Sequence, residues 1–452
     1  MAEVYKFGGT SVDHLELIAE IIIKRKNKNP FTCVSAFSGT TDLLLKIVKQ
    51  AEEKKELKNS HLEYLLNWHL TKILNASSDL DLVKKLQRKL KNFWENISNK
   101  IAQAYIQIQK KGPSPFYTDI IMGCGEQVAA FILAETISLK GKQGKFIDLS
   151  QIIKTNNKLA DQKFFDKLKE KIKTKLNKID EHSLPIITGF IGEVPQGILN
   201  SISRGYTDYT GAFISSIIQA KKYIIFKEVD GLCSADPRII GNKFILLKKL
   251  SYLEVLKMAS GGMKAVNMAA LKPAMSKNIT IEVRNTFSPS KKGTTITAER
   301  KIDPQKKIQN ITVKRNVCII RFGGFDEEST ELEFKLLKYL KKHHIKKFFS
   351  TSDLSGSSVV LLYEKEKIEK LMTNLNHGRI KIIKNCSIIA IVGEEMQGRI
   401  GVLAKACRAI AQSGASIYVT VQGASQIGID FVIDEEFANQ AVINLHESFF
   451  EE

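Results

Sequence analysis

The chain has 452 residues, too many for a single hydrophobic core, so two or three domains are expected. Its 43% hydrophobic and 26% charged content is ordinary for a globular protein, and the net charge of +20 sits on lysines scattered through amphipathic segments. No basic strand pair with interleaved aromatics suggests a nucleic-acid platform, so no nucleic acid is expected as partner. Six widely spaced cysteines without a Cys-x-x-Cys pair argue against a disulfide scaffold or a zinc site and fit a reducing cytoplasm. There is no basic-then-apolar leader, and no apolar run reaches the roughly 18 residues of a membrane span, so a cytoplasmic protein with no membrane partner is expected.

Residues 4–11 read Val-Tyr-Lys-Phe-Gly-Gly-Thr-Ser. An apolar run enters a turn at Gly8 and Gly9, and Thr10 and Ser11 sit where a helix would begin. Glycines let backbone approach a ligand closely, free N–H groups at a helix start favour an anion, and Lys6 adds a point charge. The same residues also suit a plain strand-turn-helix corner. Leu15 to Lys26 has helical spacing, and 31–36 reads as a buried strand. The strand runs into Ser35-Ala-Phe-Ser-Gly-Thr-Thr41, a second hydroxyl-rich junction of the kind that borders ligands in open α/β sheets or simply caps the next helix. Residues 43–111 read as a helical insert whose aromatics, Trp68 and Trp94, belong to a core.

Glu126 follows Gly123-Cys-Gly125, at the predicted first turn of a helix over 128–139, where the dipole favours a carboxylate. It suits either that structural role or a ligand ammonium group. Strands are predicted near 144–149 and 184–188, with a lysine-rich helix over about 163–177. Arg204 offers a planar fork for a carboxylate. Asp208, at a helix start, either caps it or orients a lysine such as Lys6. A strand over 223–229 enters a loop through Asp236-Pro-Arg238. The helix near 253–258 ends at Gly261-Gly262, Lys264 follows, and 279–283 is a further strand. Alternating strands and helices to about residue 296 imply a mostly parallel sheet sandwiched by helices. From about 309 a β-α-β-β-α order occurs twice, giving two small sheets with helices on one face.

These blocks, taken together, resemble aspartate kinases over essentially the whole chain. They are Lys6-Phe-Gly-Gly-Thr-Ser, Val34-Ser-Ala-Phe-Ser-Gly-Thr-Thr, Gly125-Glu126, Arg204-Gly-Tyr-Thr-Asp-Tyr-Thr, Val229-Asp-Gly with Ala235-Asp-Pro-Arg238, Lys264, and Val283-Arg-Asn-Thr-Phe. The resemblance implies an amino-acid-kinase fold at 1–296, with the insert at about 43–111. Two α+β ACT domains follow, at 297–384 with a linker and at 385–452. It implies ATP with Mg²⁺, L-aspartate as acceptor, and 4-phospho-L-aspartate as product, which opens lysine/diaminopimelate, threonine and methionine biosynthesis. An amino-acid effector at the ACT domains and a homodimer or higher homo-oligomer are also implied.

By resemblance, Lys6, Asp208 and Lys264 are catalytic, and Ser35, Thr41, Glu126 and Arg204 hold aspartate. Gly8, Gly9, Thr10, Lys227, Glu228, Cys233, Arg238 and Lys264 meet ATP, and no side chain is assigned to a metal. Several positions depart from the family pattern. Tyr206 stands where a glycine is usual, Lys227, Glu228 and Cys233 alter the nucleotide loop, and the residues flanking Lys264 differ. Lys347 falls where lysine-inhibited members carry an aspartate, which disfavours lysine at that point. These departures also define the alternative: a weakly active or non-catalytic kinase-like scaffold whose ACT domains sense an amino acid or mediate dimerisation.

Overall fold

The computed structural model describes residues 2–24, 30–150, 162–189, 197, 205–263, 266, 268–323, 327–353, 356–375 and 380–451. It divides into two compact units. The first comprises Met1–Leu232 and Asn267–Ala298, the second Cys233–Val266 and Glu299–Glu452. Residues 233–266 therefore pack with the C-terminal part of the chain, although the sequence reading grouped them with the N-terminal domain.

In chain order the strands are β1 (Glu3–Phe7), β2 (Phe31–Val34), β3 (Gln143–Ile147), β4 (Ser183–Thr188), β5 (Lys222–Lys227), β6 (Lys249–Ser251), β7 (Thr280–Asn285), β8 (Thr294–Thr297), β9 (Asn310–Gly323), β10 (Lys347–Asp353), β11 (Gly356–Leu362), β12 (Ile380–Val392), β13 (Val419–Gln422) and β14 (Gly428–Asp434). In the first unit the order across the sheet is β3-β4-β2-β1-β5-β7-β8. Every neighbouring pair is parallel except β7 with β8. Strands covered on both faces carry continuous apolar runs rather than alternation, and Val4, Tyr5 and Phe7 of β1 and Tyr223–Phe226 of β5 are all buried. β1 lies at the centre, with Lys6 paired to Cys33 on one side and Ile225 on the other.

The insert forms helices Thr40–Glu52, Asn59–Asn75 and Leu80–Lys111. The longest buries Leu82, Leu86, Leu90, Trp94, Ile97, Ile101, Tyr105 and Ile108, a three-and-four spacing that makes one apolar stripe. Asp79 caps its start by accepting from the Asp81 and Leu82 N–H groups, and Gly112, at φ 84°, ends it.

The next helix differs from the sequence reading. It runs from Pro115 to Leu139, so Glu126 lies three turns inside it and not at its start, and the dipole argument for that carboxylate fails. Gly123 and Gly125 look like a turn in sequence but are helix interior. The reason at Gly125 is close packing: a Cβ there would stand 2.8 Å from the Ala36 Cβ. The same helix is long and apolar enough to cross a membrane, although Asp119, Glu126 and Glu135 interrupt its apolar run, and 83% of its most apolar stretch is buried in the fold.

In the second unit one six-stranded sheet runs β10-β11-β9-β12-β14-β13. β9 and β12 pair antiparallel along most of their length, with the register broken around Cys386. Asn316 and Asn385 take φ values of 60° and 56° at this break. Along β9, β11 pairs with residues 317–323, and along β12, β14 pairs with residues 386–392. Helices Glu327–Lys342 and Lys365–Leu375 cover Cys318, Ile320 and Phe322, while Val402–Ala411 and Ala438–Phe450 cover Ile389, Ile391 and Phe431. A buried ion cluster lies in the same unit. Arg300 Nε donates to Glu254 at 2.7 Å, its Nη2 donates to Glu395 at 2.7 Å, and Gln309 donates to Glu395 at 2.6 Å.

Candidate functional site

The site of the first unit forms at the carboxyl ends of its central strands. Lys6 is the penultimate residue of β1 and is only 6% exposed. Its Nζ meets Asp208 Oδ1 at 2.6 Å, and Lys227 Nζ, from the end of β5, lies 4.0 Å from Oδ2 of the same carboxylate. Burial alone would raise the Asp208 carboxyl, but the charges of Lys6 and Lys227 outweigh it and hold the group below its usual value. Burial pulls Lys227 down. Two ammonium groups thus share one carboxylate, an arrangement that favours an anion nearby.

Asp208 lies in the first turn of helix Tyr206–Ile217, as its position in sequence suggested. Gly205 precedes it at φ 99°, a left-handed conformation that disfavours a side chain. Gly8 and Gly9 follow β1, and a Cβ on Gly9 would stand 3.0 Å from the Ala36 carbonyl oxygen, so the two junctions touch through backbone. The Ser35 N–H donates to the Phe7 carbonyl at 3.2 Å, a second tie between them. Ser11 and Thr286 share a buried hydroxyl contact of 2.7 Å, which fixes helix Gly9–Val12 to the segment after β7.

Glu126 is 2% exposed and close enough to Lys6 to feel its charge. Burial pushes its carboxyl up to about 7. The Tyr206 hydrogen bond, the Glu126 and Ala36 backbone N–H groups and Lys6 oppose that rise. Tyr206 O–H donates to Glu126 Oε1 at 2.7 Å.

The structure therefore brings Lys6, Gly8, Gly9, Ser35, Glu126, Asp208 and Lys227 into one neighbourhood. Thr10, Thr41 and Glu228 are exposed on its margin. Cys233 and Arg238 belong to the second unit, where the Cys233 carbonyl accepts from Asn310 at 2.8 Å and the exposed Arg238 guanidinium is bonded to Asp236. Arg204 and Lys264 lie outside the described residues.

Two contributors have no signal in the local sequence. Lys72 and Trp68, from helix Asn59–Asn75 of the insert, clasp the 35–41 loop. Lys72 donates to Asp13 at 2.7 Å and to Ser38 Oγ at 2.8 Å, and Trp68 Nε1 donates to Thr40 Oγ1 at 3.3 Å. The Tyr206–Glu126 bond likewise joins residues 80 positions apart, which no local pattern announces.

The sequence pattern described as "Amino acid kinase family" matches residues 1–285, and that described as "ACT domain" matches residues 389–449. Among curated proteins, the chain is 27% identical to the bifunctional aspartokinase/homoserine dehydrogenase 2 of Arabidopsis thaliana, over all of this chain and 51% of that protein. It is 26% identical to the aspartokinase of Saccharomyces cerevisiae, over 99% of this chain and 93% of that one. The chain spans about half the length of the first curated relatives it matches. Among solved structures it resembles E. coli aspartokinase III in complex with aspartate and ADP. The TM-score is 0.77 and the identity 21%, covering the whole of both chains.

Proposed function

Since the chain belongs to the amino acid kinase family, we propose that it is an aspartate kinase, transferring the γ-phosphoryl group of ATP to the β-carboxylate of L-aspartate. That reaction is the first step toward lysine, threonine and methionine. One observation carries the reading: a buried Lys6–Asp208 pair at the carboxyl end of β1, with a second buried carboxylate, Glu126, beside it.

The chemistry suits such a site. An aspartate carboxylate is already ionised at neutral pH, so no general base is needed. One of its oxygens forms the new bond to phosphorus as the bond between the γ-phosphorus and the bridging oxygen breaks, and ADP carries that electron pair away. What remains for the protein is positioning and neutralisation of charge. Lys6, held by Asp208, faces the phosphates, with Lys227 adding to the local positive charge. Gly8, Gly9 and Thr10 offer backbone to the nucleotide. Ser35, Thr41 and Glu126 receive aspartate, with Glu126 on its ammonium group.

Mg²⁺ enters as the complex with ATP, where it would share the neutralisation of phosphate charge with the lysines. The C-terminal unit receives an amino-acid effector and joins copies of the chain into a homodimer or larger assembly. Lys347, exposed at the start of β10, places a positive charge that disfavours lysine there.

The test is a hydroxamate assay with L-aspartate, ATP, Mg²⁺ and hydroxylamine, which traps an acyl phosphate. The expected result is aspartyl hydroxamate from the wild type and none from Lys6→Ala that retains its fold. No product from the wild type with any amino acid tried would favour the scaffold alternative.

A further inference from the structure

The two oxygens of Glu126 have different surroundings. Oε1 accepts the Tyr206 hydrogen bond at 2.7 Å. Oε2 is fully enclosed and has no hydrogen-bond partner among the described residues. A buried carboxylate oxygen left in that state is costly, and a donor carried in by a ligand removes the cost. Tyr206 is itself buried and stands in the first turn of its helix. Two residues further along the same turn, Asp208 holds Lys6. A single helical turn thus grips both the carboxylate that faces the acceptor and the lysine that faces the phosphates.

Resting on the aspartate kinase reading, we infer that Tyr206 is a positioning residue for the acceptor amino acid: its phenol engages one oxygen of Glu126 so that the other is presented to the ligand's ammonium group. The phenol acts in two ways. It fixes the carboxylate rotamer, and its hydrogen bond favours the charged form that an ammonium group requires. The other charged groups acting on this pair are Lys6, from β1, which favours the Glu126 anion, and Asp119, on the helix of Glu126 itself, which acts on the Tyr206 phenol; the Glu126 and Ala36 backbone N–H groups also favour the anion. Burial sets Glu126 to about 7. Below that pH the carboxyl is protonated and cannot pair with an ammonium group, so acceptor binding weakens as pH falls through it. Removing the phenol oxygen takes away one of the terms that lower this value, so the midpoint moves upward.

The test compares wild type with Tyr206→Phe from about pH 6 to about pH 9. L-Aspartate binding is measured by calorimetry, and KM for aspartate, KM for ATP and kcat by ADP release. Near pH 7 the variant is expected to bind aspartate about tenfold more weakly, with KM rising in parallel, as for loss of one hydrogen bond to a charged group. Binding recovers toward wild type by about pH 9 and KM for ATP stays within error, while the melting temperature falls modestly because Glu126 Oε1 loses its donor. In Glu126→Gln the pH dependence of binding disappears. Aspartate binding by Tyr206→Phe that equals wild type at every pH, or is weakened equally at every pH, overturns the inference. So does a wild type that binds no aspartate at all. A wild type that binds aspartate with this pH profile yet releases no ADP would sink the kinase reading and leave the role of Tyr206 standing.

Discussion

Replacing Asp208 with asparagine keeps the shape of the side chain and removes only its charge. In the wild type that carboxylate lies 2.6 Å from Lys6 and 4.0 Å from Lys227, and it is 5% exposed. Without it the two ammonium groups lose the counter-charge they share in a site largely closed to water. Breaking a buried pair by removing one partner costs about 3–5 kcal/mol, because the remaining charge is left desolvated. For a unit of this size, about 2–4 °C of melting temperature accompany each kcal/mol. A fall on the order of 10 °C is therefore expected for the N-terminal unit, followed by differential scanning calorimetry. Turnover should drop steeply near neutral pH, since nothing then aims Lys6. The loss should be milder in more acidic buffer, where Lys227, already pulled down by burial, keeps its proton. An Asp208→Asn protein that melts like wild type and turns over at the same rate across that pH range would refute the placement of this ion pair at the centre of the site.

Gly125→Ala should be costly despite its size. The added Cβ would meet Ala36 Cβ at 2.8 Å, Thr40 Cγ2 at 3.1 Å and Leu44 Cδ1 at 3.2 Å. Overpacking of this kind costs about 1–3 kcal/mol and pushes the 35–41 loop outward, so a lower melting temperature and a raised KM for aspartate are expected together. For Glu126→Gln the sign follows from linkage. A carboxyl raised to about 7 takes up protons on folding between its unfolded value and about 7, so its contribution to stability shrinks as pH rises through that window. The variant should melt above wild type near pH 8 and lose that advantage near pH 5, in paired thermal scans. In the C-terminal unit, Arg300→Met strands the buried Glu254 and Glu395 carboxylates. A loss of about 3–5 kcal/mol should appear in urea unfolding of that unit.

Much of the first unit was legible because parallel sheets announce themselves. Runs such as Val4-Tyr5 and Tyr223-Ile-Ile-Phe226 are too apolar for a half-exposed strand, and the alternation with helices fixes the class. Lys6 and Asp208 were legible for a related reason, since both sit at strand-to-helix or loop-to-helix corners. Glu126 was misread because glycines normally break helices, whereas here Gly125 is required by contact with Ala36 from another element. The clasp formed by Lys72 and Trp68 has no local signal because their partners, Asp13, Ser38 and Thr40, lie tens of residues away. On a helix surface such residues look like solvent-facing charge and core aromatic. Sequence periodicity reports which face of an element is buried; it does not report what lies opposite.

The long strands of the second unit have a practical consequence. Residues 310–314 of β9 pair with residues 388–392 of β12, whereas 317–322 pair with 380–386. The second repeat is therefore completed by a half strand, residues 310–314, that the first repeat supplies, while 380–383 close back on 319–322 within the first. Cutting the polypeptide at the repeat boundary near residue 385 would strip a hydrogen-bonded edge from both products and leave each prone to self-association. By the same linkage, a force or ligand that shifts one repeat pulls directly on the backbone of its neighbour. The two behave as a single plate with a hinge line at Asn316 and Asn385, and not as a pair of beads on a string.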